Sequence, residues 1–268
     1  MIVVSDALVL ARAASYVPDL PIVLYDDLVT VANIAADQAD ANYPVTNLAN
    51  PQTSSLWKSG STADQYLTVT LDGTVETDCL SIARHNLGSG LTVASVEGKT
   101  AAVDWTEVCG EQQLGDDTPA MFVFTSDFYI GLRLKLQPAS VAPQMAVLSV
   151  GPSLKLPRSV PVGHKPLKTS RSRALLNPTA MNGDFIGNVV TSQTLSTTFA
   201  VNLLDPTWWD AYGQPFADAC RDPFFLAWRP DSKPTDIAYA WATNDPQPVI
   251  NQITKEVDIS MNLAGLGL

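Results

Sequence analysis

The sequence predicts an all-β protein made of two parts. Residues 67–71 and 129–136 alternate apolar and polar side chains with the period of two that a half-buried strand requires. Further short apolar runs recur along the chain, separated by turn-forming residues such as Gly110 and Gly115. Many short strands with turn signals between them are typical of β-sandwiches and jelly rolls.

Few segments favour anything other than strands. Residues 1–24 are expected to form an N-terminal arm or strand, because Asp6 and Arg12 interrupt the apolar run and neither a signal peptide nor a membrane anchor fits it. Helices are expected only at residues 28–37 and 206–220. In the second of these, Pro206 follows Asp205 as at a helix start.

A boundary is expected near residues 150–160, where Gly151 and Pro152 end an apolar strand. Residues 25–150 then form the first domain and residues 179–268 a second β-rich domain. Residues 151–178 are expected to be an extended connector rather than a packed element, because proline fixes φ and removes an amide donor. The prolines that support this are Pro157, Pro161, Pro166 and Pro178.

Charge is distributed unevenly. Residues 1–150 hold 17 acidic and 6 basic side chains, which gives the whole net charge of −11, whereas residues 151–268 hold ten of each. An acidic body beside a basic segment favours contacts between copies or with partner subunits, and the alternative is a solvated linker. An acidic chain is not expected to bind nucleic acid. The basic candidates for an assembly interface are Lys155, Arg158, Lys165, Lys168, Arg171 and Arg173.

No cofactor, metal or catalytic motif is recognised, and the chain is expected to be non-enzymatic. Its three cysteines lack zinc or redox spacing, and two histidines cannot build a histidine metal cluster. No phosphate-binding glycine loop or nucleophile elbow occurs. The acid pairs at 26–27 and 116–117 leave a polysaccharide-degrading enzyme as a remote alternative, because glycosidases need two carboxylates across a cleft.

Residues 42–86 contain four segments in a recognisable order. They are Asn42-Tyr-Pro-Val-Thr-Asn-Leu-Ala-Asn-Pro51, Ser54-Ser-Leu-Trp57, Gln65-Tyr-Leu-Thr-Val-Thr-Leu-Asp-Gly73 and Arg84-His-Asn86. This order resembles the discoidin, or coagulation factor type C, jelly roll of many carbohydrate-binding modules, although Tyr66 stands where tryptophan is usual. The resemblance covers about residues 25–150. It implies a discoidin-like jelly-roll sandwich with Trp57 as a plug at its mouth and Leu67, Val69 and Leu71 on an inward face.

The C-terminal part carries Gly183-Asp-Phe-Ile-Gly187, Trp208-Trp209 and Pro223-Phe-Phe-Leu-Ala-Trp-Arg-Pro230 in this order. It resembles tail-tip and distal-tail proteins of long-tailed bacteriophages. The resemblance implies a structural component of a tail tip or baseplate, synthesised in the host cytoplasm, that assembles in the virion with other tail proteins and with copies of itself. Arg229, between Trp228 and Pro230, is expected to anchor an interface, where tryptophan and arginine concentrate binding energy.

The alternative function is a carbohydrate-binding accessory protein that contacts a host surface glycan. Arg84, His85 and Asn86 follow a predicted strand beside a glycine-rich loop, where they are expected to bind sugar hydroxyls while Trp57 stacks on the ring. The competing interpretation is that His85 and Asn86 satisfy backbone groups at a turn.

Overall fold

The structure, a computed structural model, describes residues 1–13 and 19–266. Strands dominate these residues and fall into two sheets, so the prediction of an all-β fold is confirmed. The strands are β1 (Ile2–Val4), β2 (Ile22–Leu24), β3 (Ile34–Ala36), β4 (Trp57–Lys58), β5 (Gln65–His85), β6 (Val93–Thr100), β7 (Thr106–Gln113), β8 (Ala120–Gln137), β9 (Gln144–Gly151), β10 (Leu154–Lys155), β11 (Arg171–Leu176), β12 (Val189–Leu204), β13 (Phe224–Ala227), β14 (Ile237–Ala242), β15 (Val249–Ile250) and β16 (Val257–Gly265).

Helices are short. They are α1 (Asp6–Ala13), α2 (Pro206–Trp208) and α3 (Gln214–Ala219), with 3-10 turns at Val45–Ala49 and Leu167–Thr169. A π-helical turn, Trp209–Gly213, joins α2 to α3, and Asp205 caps α2 by accepting hydrogen bonds from the amides of Thr207 and Trp208, so the predicted helix at 206–220 is confirmed. None of the helices in the described ranges is long and apolar enough to cross a membrane.

The helix predicted at residues 28–37 is wrong. The segment forms a turn followed by β3. Asn33 accepts a hydrogen bond from the Thr30 amide and donates one to the Leu28 carbonyl, both at 2.8 Å, and Asp27 accepts from the Val29 amide at 3.0 Å. Such side-chain bonds to nearby backbone groups compete with helix formation, and here they hold the turn.

The first sheet folds back on itself into a sandwich. Its long strands β5 and β8 pair along their whole length, with a register shift between Thr70 and Val75, where Gly73 has a left-handed φ of 84°. Before the shift, β5 and the C-terminal half of β8 lie with β3, β6 and β7, which we call the outer layer. After it, β5 and the N-terminal half of β8 lie with β1, β4 and β9, which we call the middle layer. Trp57, Leu67, Val69 and Leu71 are buried between the layers.

The middle layer is buried on both of its faces. Leu80 and Ile82 point into the first core, whereas the intervening strand positions, such as Cys79 and Ala83, pack against Phe225 and Tyr239 of the second sheet. Every residue from 77 to 83 is therefore buried. A strand with both faces covered has no solvent-facing side, which explains why apolar residues occupy both alternating positions of these strands.

The second sheet has the strand order β10-β2-β13-β14-β16-β12-β11. Phe225 and Ala227 face the middle layer, while Phe224 and Leu226 face a separate core closed by Trp209 and Phe216 of the helical segment. Aromatic residues fill both faces of this sheet, which gives the dense aromatic block of the C-terminal sequence a structural role.

Residues 151–178 differ from the extended, unpacked connector that was expected. Leu156, Val160 and Leu167 are buried in the core of the second sheet, and β10 and β11 are strands of that sheet. The prolines interrupt regular structure, but the apolar residues between them reach the core. The sheets therefore do not end at the predicted domain limits, since β2, from the N-terminal arm, also belongs to the second sheet.

One hairpin extends beyond the second sheet. Among the described residues, β11 and residues 189–194 of β12 pair only with each other, because β12 joins β16 from Leu195 onward. We call residues 171–194 the arm. Its apolar side chains are exposed on both faces of the hairpin, since neighbours such as Leu175 and Leu176 are 49% and 60% exposed.

Truncating a side chain between the middle layer and the second sheet is expected to destabilise both sheets together. Phe225 is 1% exposed, and its ring centroid lies 4.9 Å from that of Tyr239. We expect Phe225→Ala to lower the free energy of unfolding by about 3–5 kcal/mol, in one transition measured by both circular dichroism and tryptophan fluorescence. Phe128→Ala, at a 57% exposed position, is the control and should change little. Two separate transitions, only one of them shifted, would show that the sheets fold independently.

Candidate binding sites

Trp57, the predicted sugar-stacking residue, lies inside the first core. It is fully buried, and its indole Nε1 donates a hydrogen bond to the Gln38 carbonyl at 3.2 Å. A ring without solvent-accessible surface cannot stack on a sugar. The prediction that Trp57 contacts a glycan is therefore corrected: its side chain fills the space between the two layers.

The side chains of His85 and Asn86 form hydrogen bonds with backbone groups of neighbouring segments. The His85 Nε2 donates to the Thr118 carbonyl at 2.9 Å, and its Nδ1 accepts from the Leu87 amide at 3.2 Å. The Asn86 amide donates to the Ala142 carbonyl at 3.1 Å, and its Oδ1 accepts from the Gln144 amide at 2.9 Å. The turn-satisfying interpretation of these two residues fits this geometry.

Arg84 is the exposed member of the predicted cluster. Its φ of 54° is left-handed, a conformation that costs a residue with a Cβ about 1 kcal/mol or more. This backbone turns Arg84 outward and His85 inward at the end of β5. The structure thus separates Arg84 from Trp57, His85 and Asn86, and the four do not form one open site.

The basic candidates split into two groups. Lys155 contacts Asp78 at 2.8 Å, Lys168 contacts Asp116 at 3.3 Å, and Arg158 lies 3.8 Å from Glu256. Asp78 is 5% exposed and also accepts from the Ser153 amide and hydroxyl. Because Asp78 and Asp116 belong to the acidic first half, that half and the basic segment attract each other within one molecule.

The second group keeps its charge on the surface. Lys165, Arg171, Arg173 and Arg229 are exposed. The Arg173 side chain donates to the neutral Gln193 side chain at 2.8 Å, and the Arg229 guanidinium lies 5.2 Å from the Trp228 ring centroid. No ion pair of these four with a described residue is formed. They remain available to a partner or ligand.

An aromatic and cationic cluster lies on the solvent face of the outer layer. The Arg133 guanidinium carbon is 4.0 Å from the Tyr66 ring centroid and 4.5 Å from that of Trp105, and Glu97 accepts a hydrogen bond from the Arg133 Nε at 2.7 Å. Lys99 Nζ lies 5.9 Å from the Trp105 ring. We call Tyr66, Glu97, Lys99, Trp105 and Arg133 the outer platform. Each of its side chains is only partly buried.

Gly131 makes room for the platform. A Cβ added at this position would lie 3.1 Å from Cη2 of Trp105 and 3.2 Å from the Val69 carbonyl oxygen. Because Gly131 has no side chain, the indole of Trp105, which lies in the loop between β6 and β7, packs closely against β8. The sequence does not reveal this cluster because its members are far apart in the chain. Tyr66 directly precedes the predicted strand at residues 67–71, and Arg133 lies on the polar face of the one at 129–136.

Three of the four paired acids bind nearby backbone groups. Asp27 accepts from the Val150 amide at 3.1 Å as well as from Val29. Asp116 accepts from the amide and hydroxyl of Thr118, and Asp117 accepts from the Ser89 amide at 2.9 Å. These carboxylates bind turns and strand ends to one another, and each points at backbone rather than at a second carboxylate across a cleft.

The three cysteines, Cys79, Cys109 and Cys220, are buried. Burial raises the pKa of Cys79 and of Cys109 to about 12, which keeps both thiols protonated. Residues 1–13 and 19–266 contain no group of three or more histidine, cysteine or acidic side chains able to hold a metal ion.

Comparisons with known proteins give structural similarities at low identity. No protein-family model matches the chain, and no curated protein matches it. Chitosan-binding module 1 of a chitosanase/glucanase from Paenibacillus sp. IK-5 is 13% identical with a TM-score of 0.42, over 47% of this chain and 98% of that one. CpGH89CBM32-5 from Clostridium perfringens, in complex with GalNAc-β-1,3-galactose, is 13% identical with a TM-score of 0.41, over 47% of this chain and 99% of that one.

A third structure, the CBM32 of AlyQ in complex with 4,5-unsaturated mannuronic acid, is 20% identical with a TM-score of 0.38, over 47% of this chain and 95% of that one. None of the similar structures described here is named as a bacteriophage tail protein, and the tail-protein resemblance stays a prediction. The comparisons assign the chain to no family.

Acid is expected to destabilise the protein through His85. Burial lowers the pKa of His85 from 6.5 to about 4, and a proton on Nδ1 would remove the bond from the Leu87 amide. The unfolded chain binds that proton more readily than the folded chain does. The stability that neutral His85 contributes is therefore complete above pH 6.5 and is lost as the pH falls towards 4. The loss amounts to about 3 kcal/mol.

His85→Gln tests this expectation in chemical denaturation series at several pH values. It retains a donor for the Thr118 carbonyl and removes the titrating ring. We expect the variant to be less stable than the parent at neutral pH by about 1 kcal/mol but to lose less stability on acidification. An equal loss of stability with pH in both proteins would contradict the assignment.

Proposed function

We propose that the chain is a non-enzymatic glycan-binding protein whose contact surface is the outer platform. The observation that carries the proposal is the partly exposed Trp105 indole beside Arg133, Glu97 and Lys99. Aromatic rings supply apolar area to the CH faces of sugars, and charged groups around them bind hydroxyls and fix orientation. This is the alternative function predicted from the sequence, moved from the end of β5 to the face of the outer layer.

The platform is suited to recognition because it is rigid before a ligand arrives. Arg133 is held by two aromatic rings and a carboxylate, and Lys135 contacts Glu111 at 3.3 Å on the same face. Side chains already fixed in place lose little conformational entropy on binding. The platform also lies on the side of the first core away from the second sheet, where no part of the second sheet covers it.

Replacing Trp105 is expected to weaken glycan binding at the outer platform without unfolding the chain. On a glycan array followed by calorimetry with the best neutral ligand, Trp105→Ala should weaken binding by about tenfold or more, equivalent to about 1.4 kcal/mol. Trp105→Phe should retain part of the affinity, because a smaller ring still stacks. Phe128→Ala removes an aromatic side chain that is 57% exposed elsewhere and should bind as the parent does. Undiminished binding by Trp105→Ala, or no glycan bound by the parent, would refute the proposal.

A second candidate function is that of a structural subunit in a larger particle, such as a phage tail tip or baseplate. The arm favours it. A two-stranded hairpin is marginally stable alone, and this one exposes apolar side chains that water solvates poorly. Those side chains are Leu175, Leu176, Met181, Phe185, Ile186, Val189 and Val190. Arg171 and Arg173 give the arm a positive base that complements the acidic first half of a neighbouring copy.

Polar substitutions at the arm tip are expected to dissociate oligomers. Phe185 and Ile186 are 68% and 64% exposed. Light scattering should show a multimer for the parent protein at high concentration and a smaller mass for Phe185→Ser/Ile186→Ser. The control Val103→Ser/Phe128→Ser removes two other exposed apolar side chains and should keep the parent mass. A monomeric parent at every concentration would argue against self-assembly through the arm.

A further inference from the structure

A cleft of about 800 Å³ lies in the second sheet, on the side where β12, β16 and the end of β14 meet residues 163–171. It is far larger than a single ion needs and is within the size range of sites for small organic ligands. None of its lining residues belongs to the outer platform or to the strand-end cluster at residues 84–86. The cleft is therefore separate from the outer platform, and it shares Arg171 with the base of the arm.

The floor of the cleft is polar and crosses neighbouring strands. The Thr198 hydroxyl on β12 donates to Asn262 Oδ1 on β16 at 3.0 Å, and the Thr243 hydroxyl, just after β14, donates to the Asn262 carbonyl at 3.1 Å. These bonds fix the three side chains side by side. The Asn262 NH₂ group keeps its donors, and both hydroxyl oxygens keep lone pairs, so the floor offers donors and acceptors in the pattern that sugar hydroxyls require.

The rim of the cleft is basic. Lys165 and Arg171 are exposed lining residues, and neither side chain forms an ion pair or hydrogen bond with a described residue. The Lys165 backbone is held in place, because its carbonyl accepts from the hydroxyls of Ser170 and Thr197. The lining contains no aspartate or glutamate. Two cations without a neutralising partner favour an anionic group at the mouth of the cleft.

His164 forms one wall without adding a fixed charge. Its Nδ1 donates to the Thr198 carbonyl at 3.3 Å, and its ring packs against Trp228 and Phe199. Burial lowers the pKa of His164, and the nearby Arg229 lowers it further. The neutral imidazole gives the cleft an uncharged aromatic wall beside its polar floor.

We propose that this cleft binds an acidic saccharide. The carboxylate or sulfate group lies between Lys165 and Arg171, and the ring hydroxyls lie on Thr198, Thr243 and Asn262. The arginine fork suits either oxyanion, and the flexible lysine supplies a second charge. The site is independent of the outer platform, so the chain has two carbohydrate contacts of different chemistry.

Calorimetry on the full chain tests this proposal with four probes: an oligouronate, a sulfated oligosaccharide, a neutral oligosaccharide of the same length, and inorganic sulfate. We expect at least one acidic saccharide to bind more tightly than the neutral one and than sulfate alone. Binding should weaken between about 20 mM and about 150 mM salt, because the rim charges are exposed and screened. The preferred probe shows whether carboxylate or sulfate is the ligand group.

Two double variants locate the binding. Lys165→Ala/Arg171→Ala should lose roughly tenfold in affinity for the acidic saccharide, whereas Lys58→Ala/Lys233→Ala, which removes the same charge elsewhere, should bind as the parent does. Trp105→Ala should also leave this binding unchanged, which separates it from the platform. The proposal is overturned if acidic and neutral saccharides bind alike, if inorganic sulfate binds as tightly as the saccharide, or if both double variants lose the same affinity.

Discussion

The middle layer is the constraint on which the rest of the structure depends. Its strands alternate between two apolar environments, with Leu80 and Ile82 in the first core and Cys79 and Ala83 against the second sheet. Removing this much apolar surface from water on both faces is the dominant favourable term that joins the two halves. The bonds of Asp78 to Ser153 and Lys155 secure the same junction at its edge.

The junction between the middle layer and the second sheet restricts which surfaces can carry binding sites. The residues at the junction are used in packing, so binding groups remain on the outer layer, on the part of the second sheet outside the junction, and on the arm. The outer platform and the cleft occupy the first two of these surfaces. The rigid body holds them at a fixed separation, which favours a ligand or particle surface that contacts both, because the second contact then costs little additional ordering.

Local patterns in the sequence predicted individual strands and the helical segment, because these elements depend mainly on residues close together in the chain. Alternation placed Leu67, Val69 and Leu71 on an inward face, and the Asp205-Pro206 step located the helix. The turn at residues 28–37 was missed because its apolar content resembles a helix, while Asn33 and Asp27 hold it through individual side-chain bonds. The sites were harder to predict. The sequence does not distinguish a buried tryptophan from an exposed one, and Trp57 is buried only because the two layers of the sandwich pack around it.

Hydrogen exchange measured by NMR tests the junction most directly, because amides buried under two packed faces exchange only when the whole molecule unfolds. We expect the slowest amides at residues 79–83, 121–123 and 146–150, with equal free energies of opening that match global unfolding. Those of the outer layer and the second sheet should open at the same or lower free energy. Faster exchange in the middle layer than in the sheets on either side of it would contradict the account.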